Sequence, residues 1–312
     1  MKRLISIIGP TAVGKTQLSI DLAKKLNTEI ISGDSMLVYR GMDIGTAKPS
    51  LSERDGIPHH LIDIIEPYEE FSVTKFIDLA SQHIADINKT DRIPILAGGT
   101  GLYVKALLEG YQFNHTPGND HYRHHLEQLA VQHGNAYIHG LLHNVDPLTA
   151  ERLHPNDIRR IIRALEVYHL GGENISQQKM DTSDHRIYDS VLIGLTMDRK
   201  HLYQRINHRV DLMVANGLVE EVTQLLHSGI PEDCQSMKGI GYKEIVAYIK
   251  KEVSLQSAID TIKQSTRHFA KRQITWYKKM NDINWIDVDS IEDYEDLLGI
   301  IYKKIAGKFC LE

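Results

Sequence analysis

The residues from Gly9 to Thr16 have the types and the spacing of a phosphate-binding loop. A glycine is followed by four residues and then by Gly-Lys-Thr, so that the loop consists of Gly9, Pro10, Thr11, Ala12, Val13, Gly14, Lys15 and Thr16. Backbone N–H groups in such a loop point at one anion, Lys15 supplies a mobile cation, and the Thr16 hydroxyl can reach Mg²⁺. Nothing in the loop contacts a base, so the pattern predicts a diphosphate or polyphosphate ligand.

The flanking residues predict the elements that such a loop needs. The apolar, β-branched run Leu4–Ile8 is typical of a buried strand. Leu18, Leu22, Ala23 and Leu26 recur at helical spacing on the other side. A chance match in a glycine turn is the alternative, and the strand and helix together argue against it.

Two further predicted strands end in polar residues. Glu29–Ser32 leads into Asp34, and Ile93–Ala97 leads into Gly98, Gly99 and Thr100. In a parallel sheet these ends meet at the edge that binds ligands. Asp34 could be a general base, a Mg²⁺ ligand or a helix N-cap, and Thr100 could bind a phosphate or cap a tight turn.

Basic residues occur in three later stretches. After a linker near residues 112–119 the pattern becomes helical, and the helix Ile158–Leu170 carries arginines at 159, 160 and 163, which suit either a solvated face or a grip on phosphates. Arg205 and Arg209, spaced i, i+4, could meet a diphosphate or form surface salt bridges. Lys238–Lys243 predicts a flexible basic loop, and residues 267–279 interleave basic and aromatic side chains, a pattern that suits nucleic acid.

Other strands and the domain limits follow from the same patterns. His59–Ile65 and Tyr188–Thr196 are predicted strands, and the acidic stretch after Asp282 is predicted to close the core. We predict a core domain of residues 1–113 and 188–312, interrupted by a helical insert of residues 114–187.

Composition limits the classes of protein and partner. The chain has 312 residues, 42% hydrophobic and 25% charged, with a formal net charge of −5, so a nucleic-acid partner must be held by local basic patches. The two cysteines, Cys234 and Cys310, suggest no zinc ribbon or disulfide framework and fit a reduced cytoplasmic setting. No stretch approaches the ~18–20 apolar residues of a membrane span, so we expect no membrane partner.

Several of these stretches together resemble the bacterial tRNA dimethylallyltransferases, also called tRNA isopentenyltransferases. The run Asp34–Pro49 is far more specific than the phosphate loop. The resemblance rests on Gly9–Thr16, Asp34–Ser35, Val38–Pro49, Gly98–Tyr103, His154–Asp157, Gly239–Tyr242 and Ala270–Trp276. Many family members have glutamine at the position of Leu37, so a hydrogen bond from that side chain to a substrate base is not expected here.

The resemblance implies a fold and a reaction. The fold is α/β, a P-loop-type parallel sheet flanked by helices, with an inserted all-helical domain that binds tRNA. The reaction moves a dimethylallyl group from dimethylallyl diphosphate to N6 of the adenosine 3′ of the anticodon. Asp34 would be the general base, and Lys15, Thr16, Mg²⁺, Thr100 and Arg209 would hold the departing diphosphate.

The resemblance also implies contacts with the anticodon stem-loop of tRNA. The residues implied are Asp34, Ser35, Met36, Leu37, Thr100, Arg123, Ile158, Arg159, Arg160, Ile161, Ile162, Lys238, Gly241, Tyr242, Lys271 and Arg272. We expect the protein to act as a monomer. A P-loop kinase of small molecules or nucleosides that uses ATP is the main alternative, with the insert arginines as its lid, and a regulatory nucleotide-binding module is a third class.

Overall fold

The computed structural model describes residues 1–111, 118–171, 174–176 and 187–311. The chain divides into two compact units, which we call the core unit (Met1–Gly110 with Arg186–Glu312) and the insert (Tyr111–His185). The predicted domain limits lie next to these boundaries. Within the described ranges, every helix is too short or too polar to cross a bilayer.

The core unit begins with alternating strands and helices. Its first part contains β1 (Arg3–Ile8), α1 (Lys15–Lys25), β2 (Ile30–Ser32), α2 (Leu51–Arg54), β3 (His59–His60), α3 (Val73–Asn88), β4 (Ile95–Gly98) and α4 (Gly101–Leu108). The insert contains α5 (Asp120–His133), α6 (Asn135–Val145), α7 (Pro147–Arg152) and α8 (Ile158–Gly171). The core unit resumes with β5 (Asp189–Thr196), α9 (Arg199–Ala215), α10 (Leu218–His227), α11 (Tyr242–Ile249), α12 (Leu255–Tyr277), β6 (Ile283–Asp287), a 3₁₀ turn (Val288–Ser290) and α13 (Tyr294–Phe309).

The strands form one six-stranded sheet in the order β3-β2-β4-β1-β5-β6. Each neighbouring pair is parallel. Ile8 of β1 is in register with Gly98 of β4, and Ser32 of β2 is in register with Ala97. The carboxyl ends of β1, β2 and β4 therefore meet at one edge, and the predicted P-loop-type α/β fold is confirmed.

Both faces of the sheet are buried. Along β1, Leu4 and Ile8 belong to one apolar cluster, while Ile5 and Ile7 belong to another. The first cluster includes side chains of α3, α4, α10 and α11, and the second includes side chains of α1, α9 and α13. Helices on both sides explain why the strands are continuous apolar runs rather than alternating ones.

Two predictions about strands need correction. The strand predicted at His59–Ile65 is only His59–His60, because Leu61 and Asp63 have φ of 62° and 57° and turn the chain out of the sheet. The acidic stretch after Asp282 does join the core, but through a strand that the pattern did not predict. Ile283–Asp287 pairs with β5 and forms an edge of the sheet.

The insert has an apolar core of its own. Leu126 of α5, Ile138 and Leu142 of α6, and Ile161 and Leu165 of α8 are buried in one cluster. In the described residues of this unit the regular structure is helical. The insert is therefore a small helical unit that buries its own apolar faces.

Candidate active site

The loop between β1 and α1 has the backbone of a phosphate-binding loop. Gly9 and Gly14 have φ of 148° and 109°, and a Cβ atom on Gly9 would lie 2.6 Å from the carbonyl oxygen of Leu195. Position 9 therefore accepts only glycine. Gly14 ends the loop and α1 begins at Lys15, so the N-terminus of α1 faces the space in the loop.

Lys15 lies at the centre of this loop. Its Nζ donates hydrogen bonds to the carbonyl oxygens of Gly9 (2.9 Å) and Pro10 (2.7 Å). Burial lowers the pKa of Lys15 to about 7, a change that the charge of Asp34 opposes and that of Arg209 increases. The ammonium group is therefore easily lost near neutral pH, and an anion bound in the loop would favour its charged form.

Two arginines of α9 lie beside the same loop. Nη1 of Arg209 is 3.4 Å from the hydroxyl oxygen of Thr11. Nη2 of Arg205 lies 3.9 Å from the place that a Cβ on Gly14 would occupy. Burial lowers the pKa of Arg209, and the neighbouring charge of Arg205 adds to this effect. Arg205 and Arg209 therefore lie beside the phosphate loop, where a diphosphate would bind, rather than forming a surface salt bridge.

Asp34 and Thr100 follow the ends of β2 and β4. Gly33 N–H donates to the Ala97 carbonyl at 2.8 Å, and a Cβ on Gly98 would lie 2.5 Å from the Gly33 backbone. Ser35 N–H donates to Thr100 Oγ1 at 3.2 Å. The close approach of two glycine backbones places both predicted catalytic residues at one edge of the sheet.

The side-chain contacts of Asp34 and Thr100 argue against the capping roles that were their structural alternatives. Asp34 does not cap a helix, because the next helix begins at Leu51; its Oδ1 instead accepts a hydrogen bond from Met36 N–H at 2.8 Å. Thr100 is at the N-cap position of α4, but its side chain makes no capping hydrogen bond. Asp34 lines the cavity at this edge, whereas Thr100 is half-buried and its hydroxyl oxygen accepts from Ser35 N–H.

Gln273 of α12 connects the two loops and was not predicted as a site residue. Its Oε1 accepts from Thr11 N–H at 2.8 Å, and its Nε2 donates to the Gly99 carbonyl at 2.9 Å. Four residues later, Tyr277 donates from its hydroxyl to the Gly98 carbonyl at 3.3 Å. The only signal in the sequence was that Gln273 belongs to one of the family-like runs.

A cavity of about 1000 Å³ is lined by most of these groups, whereas Thr100 and Tyr277 are not part of its lining. Its polar lining includes Thr11, Lys15, Thr16, Asp34, Lys48, Arg54, Arg205, Arg209 and Gln273. Its apolar lining includes Leu37, Ile44, Leu212, Met213 and Phe269. The cavity therefore offers cations for phosphates on one part of its wall and apolar surface on another.

The loop Asp43–Pro49 forms much of the remaining wall. Lys48 has only 3% of its side chain exposed, and its Nζ donates to Tyr39 O at 2.7 Å and to Asp43 Oδ1 at 2.6 Å. It also pairs with Asp63. Because carboxylates already neutralise Lys48, this cation shapes the loop rather than attracting phosphate.

The arginines of the insert have different environments. Glu166 is fully buried and accepts hydrogen bonds from Arg123, Arg163 and the N–H of Asn119. Burial opposes ionisation of Glu166, but these donors outweigh it and hold its pKa below the ordinary value. Arg123 and Arg163 thus serve as counterions inside the insert.

The neighbouring residues of α8 divide between surface and core. Arg159 and Arg160 are exposed, and Arg160 pairs with Asp157 at 3.4 Å. Ile158 is half-buried, whereas Ile161 and Ile162 are in the apolar cluster of the insert. Of the residues predicted here for tRNA, Arg159 and Arg160 are those with accessible charge.

The remaining residues predicted for tRNA lie in the core unit. Ser35, Met36 and Leu37 are half-buried beside Asp34, and Lys238, Lys271 and Arg272 are exposed. The predicted basic loop is confirmed only for residues 238–241, which form turns, because Tyr242 begins α11 and is fully buried. Its hydroxyl donates to Glu221 at 2.7 Å, and Glu244 accepts from Gly241 N–H at 2.8 Å.

Thr16 and Asp34 are candidate metal ligands next to the phosphate loop. Among the described residues, no cluster of three or more histidine, cysteine or acidic side chains could hold a metal ion. Thr16 is exposed at the start of α1 and lines the cavity together with Asp34. A hydroxyl, a carboxylate and phosphate oxygens are the hard ligands that Mg²⁺ prefers, so the donor set fits this ion.

The fold and the loop define a P-loop-type α/β protein, and comparisons with known proteins narrow the class. A family model described as "IPP transferase" matches residues 37–280, and one described as "Isopentenyl transferase" matches residues 2–64. A tRNA dimethylallyltransferase of Bacillus cereus is 51% identical over 307 residues, which are 98% of this chain and 96% of that protein.

Solved structures agree with the sequence comparisons. The full-length tRNA isopentenylpyrophosphate transferase of Bacillus halodurans has a TM-score of 0.75 at 47% identity, over 99% of this chain and 97% of that one. A eukaryotic dimethylallyltransferase acting on tRNA has a TM-score of 0.80 at 31% identity, over 98% and 80% of the two chains. The chain therefore belongs to the family of tRNA dimethylallyltransferases, and the resemblance is confirmed.

Proposed function

We propose that this protein transfers a dimethylallyl group from dimethylallyl diphosphate to N6 of the adenosine immediately 3′ of the anticodon in tRNA. The products are N6-(dimethylallyl)adenosine and diphosphate. One observation carries the proposal: a single cavity contains the phosphate loop with Lys15, the arginines Arg205 and Arg209, and the carboxylate of Asp34. Membership in the family supports the same reaction.

The donor would bind with its diphosphate on the loop Gly9–Thr16. The backbone N–H groups, the N-terminus of α1, Lys15 and Arg209 provide positive potential there. Lys15 would exchange its contacts with the carbonyls of Gly9 and Pro10 for phosphate oxygens. The apolar lining near Ile44, Leu212 and Met213 suits a branched five-carbon chain.

The chemistry would proceed by displacement at the carbon that carries the diphosphate. The C–O bond to diphosphate breaks, a C–N bond forms to N6 of adenine, and the proton of N6 passes to Asp34 as general base. Negative charge grows on the leaving diphosphate, and Lys15, Thr100 and Arg209 would stabilise it. The target base must leave the stack of the anticodon loop to reach Asp34.

Mg²⁺ is the cofactor that we propose. Thr16 would hold it together with oxygens of the substrate, because a hydroxyl and phosphate oxygens are suitable ligands. When bound, the ion neutralises charge on the diphosphate.

For tRNA binding we propose two separate sets of local basic residues, one in each unit. Arg159 and Arg160 in the insert, and Lys271 and Arg272 on α12, are exposed and suit phosphates of the anticodon stem-loop. Arg272 lies 5.8 Å from the ring of Phe269, so basic and aromatic groups do interleave there. We further propose that the protein acts as a monomer in the cytoplasm.

The proposal is tested by asking which donor labels the RNA. The protein is incubated with unmodified tRNA and either dimethylallyl diphosphate labelled in its carbon chain or ATP labelled in its γ-phosphate. We expect label in the RNA from dimethylallyl diphosphate alone. Label transferred from ATP to any acceptor, with none from dimethylallyl diphosphate, would favour the kinase. The pairing of Arg123 and Arg163 with Glu166 already argues against an arginine lid.

A further inference from the structure

One carboxylate outside the cavity accepts hydrogen bonds from three successive backbone amides. Glu221 lies in the first turn of α10. Its Oε2 accepts from the N–H groups of Asp43 (2.8 Å) and Ile44 (2.7 Å). Its Oε1 accepts from Gly45 N–H at 3.1 Å. Consecutive N–H groups that converge on one carboxylate fix the local backbone more tightly than a single contact does.

A buried tyrosine holds the same carboxylate from another direction. The hydroxyl of Tyr242 donates to Glu221 Oε1 at 2.7 Å, and Tyr242 is fully buried. A Cβ on Gly45 would lie 2.6 Å from the Tyr242 ring, so only glycine lets the loop approach this closely. Glu221, Gly45 and Tyr242 therefore form one packed junction.

The loop fixed by this junction is part of the donor cavity. Ile44, Thr46 and Ala47 line the cavity, whereas Glu221 does not. Lys48 anchors the other end of the loop through Tyr39, Asp43 and Asp63. The amides of residues 43–45 have no strand partner, and Glu221 supplies the acceptors that they need. The position of this cavity wall thus depends on Glu221.

We propose that Glu221 is a positioning residue for the donor: it holds the wall Asp43–Pro49 in the conformation that binds dimethylallyl diphosphate. It acts through the backbone of the loop and touches neither substrate. The proposal rests on the proposed function, because the donor bound by this wall is the one assigned there. Because Glu221 already orders the loop, donor binding does not have to supply the free energy of ordering it.

The test compares Glu221→Gln with Glu220→Gln. The amide of glutamine keeps one acceptor oxygen but replaces the other with an NH₂ group that cannot accept from two N–H groups. Glu220 is the exposed neighbour on the same helix and serves as the matched control. Tyr242→Phe removes one donor to Glu221 and keeps the ring, so it gives a milder second variant.

Two readouts separate positioning from general stability. Hydrogen exchange of a peptide that spans residues 41–47 should be faster in Glu221→Gln, and KM for dimethylallyl diphosphate should rise about tenfold or more, as expected when hydrogen bonds to a charged group are removed. We expect Tyr242→Phe to change both in the same direction by less, and Glu220→Gln to match wild type. KM does not depend on the fraction of protein that is folded, so partial unfolding cannot imitate the result.

An unchanged donor KM in Glu221→Gln would overturn the proposal, even if exchange of the loop became faster. Failure of the proposed function is a different result, since wild-type protein would then transfer no dimethylallyl group to tRNA. With active wild type, the variants decide the role of Glu221 alone.

Discussion

The donor cavity of the core unit and α8 of the insert both carry arginines one helical turn apart, yet the two regions use them differently. Arg205 and Arg209 lie beside the phosphate loop, and the charge of Arg205 helps to lower the pKa of Arg209. Arg163, together with Arg123, is instead held by the buried carboxylate of Glu166. The core unit places several cations along one open cavity, whereas the insert uses two of its cations as internal counterions.

This difference teaches that a cation in a sequence indicates binding only when the fold has not already placed it in an ion pair with a buried member. The same rule applies within the core unit. Lys15 contacts backbone carbonyls, while Lys48 contacts two carboxylates, although both line the same cavity.

The largest effect is expected for Asp34→Asn. Loss of a positioned base should lower the rate of transfer by roughly 10²–10⁴. The charge of Asp34 also helps to raise the pKa of Lys15, so the substitution can change donor binding as well. Single-turnover rates at saturating donor exclude that change in binding and report the rate of transfer alone. Asp78→Asn, an exposed change on α3, is the control.

Raising Mg²⁺ separates the two chemical roles of Asp34. A base role predicts that the loss persists at saturating Mg²⁺, and a metal-ligand role predicts partial rescue. A variant at the wild-type rate would remove Asp34 from the mechanism.

The next effect is expected for Lys15→Ala. The variant lacks charge-assisted hydrogen bonds of ~1.5–3 kcal/mol to the diphosphate, so donor affinity should fall roughly 10- to 150-fold. Lys24→Ala, at the far end of α1 where Lys24 pairs with Asp55, is the control. Calorimetric titration with dimethylallyl diphosphate gives both affinities. Equal affinities in Lys15→Ala and wild type would show that the loop does not hold the donor.

The pH dependence of the same titration follows from the pKa of Lys15. That pKa is about 7 in the free protein, and a bound anion raises it, so binding takes up a proton above pH 7 and none well below it. Wild-type affinity should therefore fall by up to about tenfold per pH unit above pH 7, relative to Lys15→Ala. Titrations in two buffers with different ionisation enthalpies count the protons directly, and identical pH slopes would contradict the assignment.

Arg123→Ala probes the other side of the comparison. Glu166 would keep Arg163 and the Asn119 N–H but lose one charged partner in a buried site, which should destabilise the insert by up to about 3 kcal/mol. Thermal unfolding measures the loss, and Glu166→Gln together with Arg123→Ala should recover part of it. If Arg123→Ala weakened tRNA binding without changing stability, the arginine would be a ligand for RNA instead.

The smallest effect is expected for Arg159→Ala with Arg160→Ala. If these side chains bind tRNA phosphates, the slope of log affinity against log salt should become shallower by about 0.7–0.9 for each phosphate that is no longer neutralised. Donor affinity should stay unchanged. Lys89→Ala removes one exposed cation that pairs with Asp86, and it controls for the loss of a surface charge elsewhere on the chain. An unchanged salt slope would make this face a solvated one.

Local sequence patterns were enough to predict the features formed by neighbouring residues. The strand–loop–helix around Gly9–Thr16 and the strand ends at Asp34 and Thr100 depend on spacing along the chain, and the structure confirms those elements. Arg123 and Glu166 could not be paired in advance, because neither spacing nor composition shows which acid α8 buries.

The sequence patterns could not predict interactions between residues that are far apart along the chain. Gln273 and Thr11 are 262 positions apart, and Glu221 and Asp43 are 178 apart. The edge strand Ile283–Asp287 has exposed and polar residues because only one side of it is paired, so it lacks the apolar run that revealed β1. Tyr242 was predicted in a flexible loop because glycines surround it, whereas its ring is part of the apolar core and its hydroxyl donates to Glu221, 21 positions away.

The central claim is that the cavity joins a dimethylallyl donor to one adenosine of tRNA, and the most direct test is to locate the product. Unmodified tRNA is incubated with the protein, dimethylallyl diphosphate and Mg²⁺, digested with nucleases, and analysed by mass spectrometry of its fragments and nucleosides. The account predicts one N6-(dimethylallyl)adenosine, in the position 3′ of the anticodon, and none with Asp34→Asn on the same time scale. A modified nucleoside elsewhere in the tRNA, or unmodified RNA with active donor turnover, would contradict it.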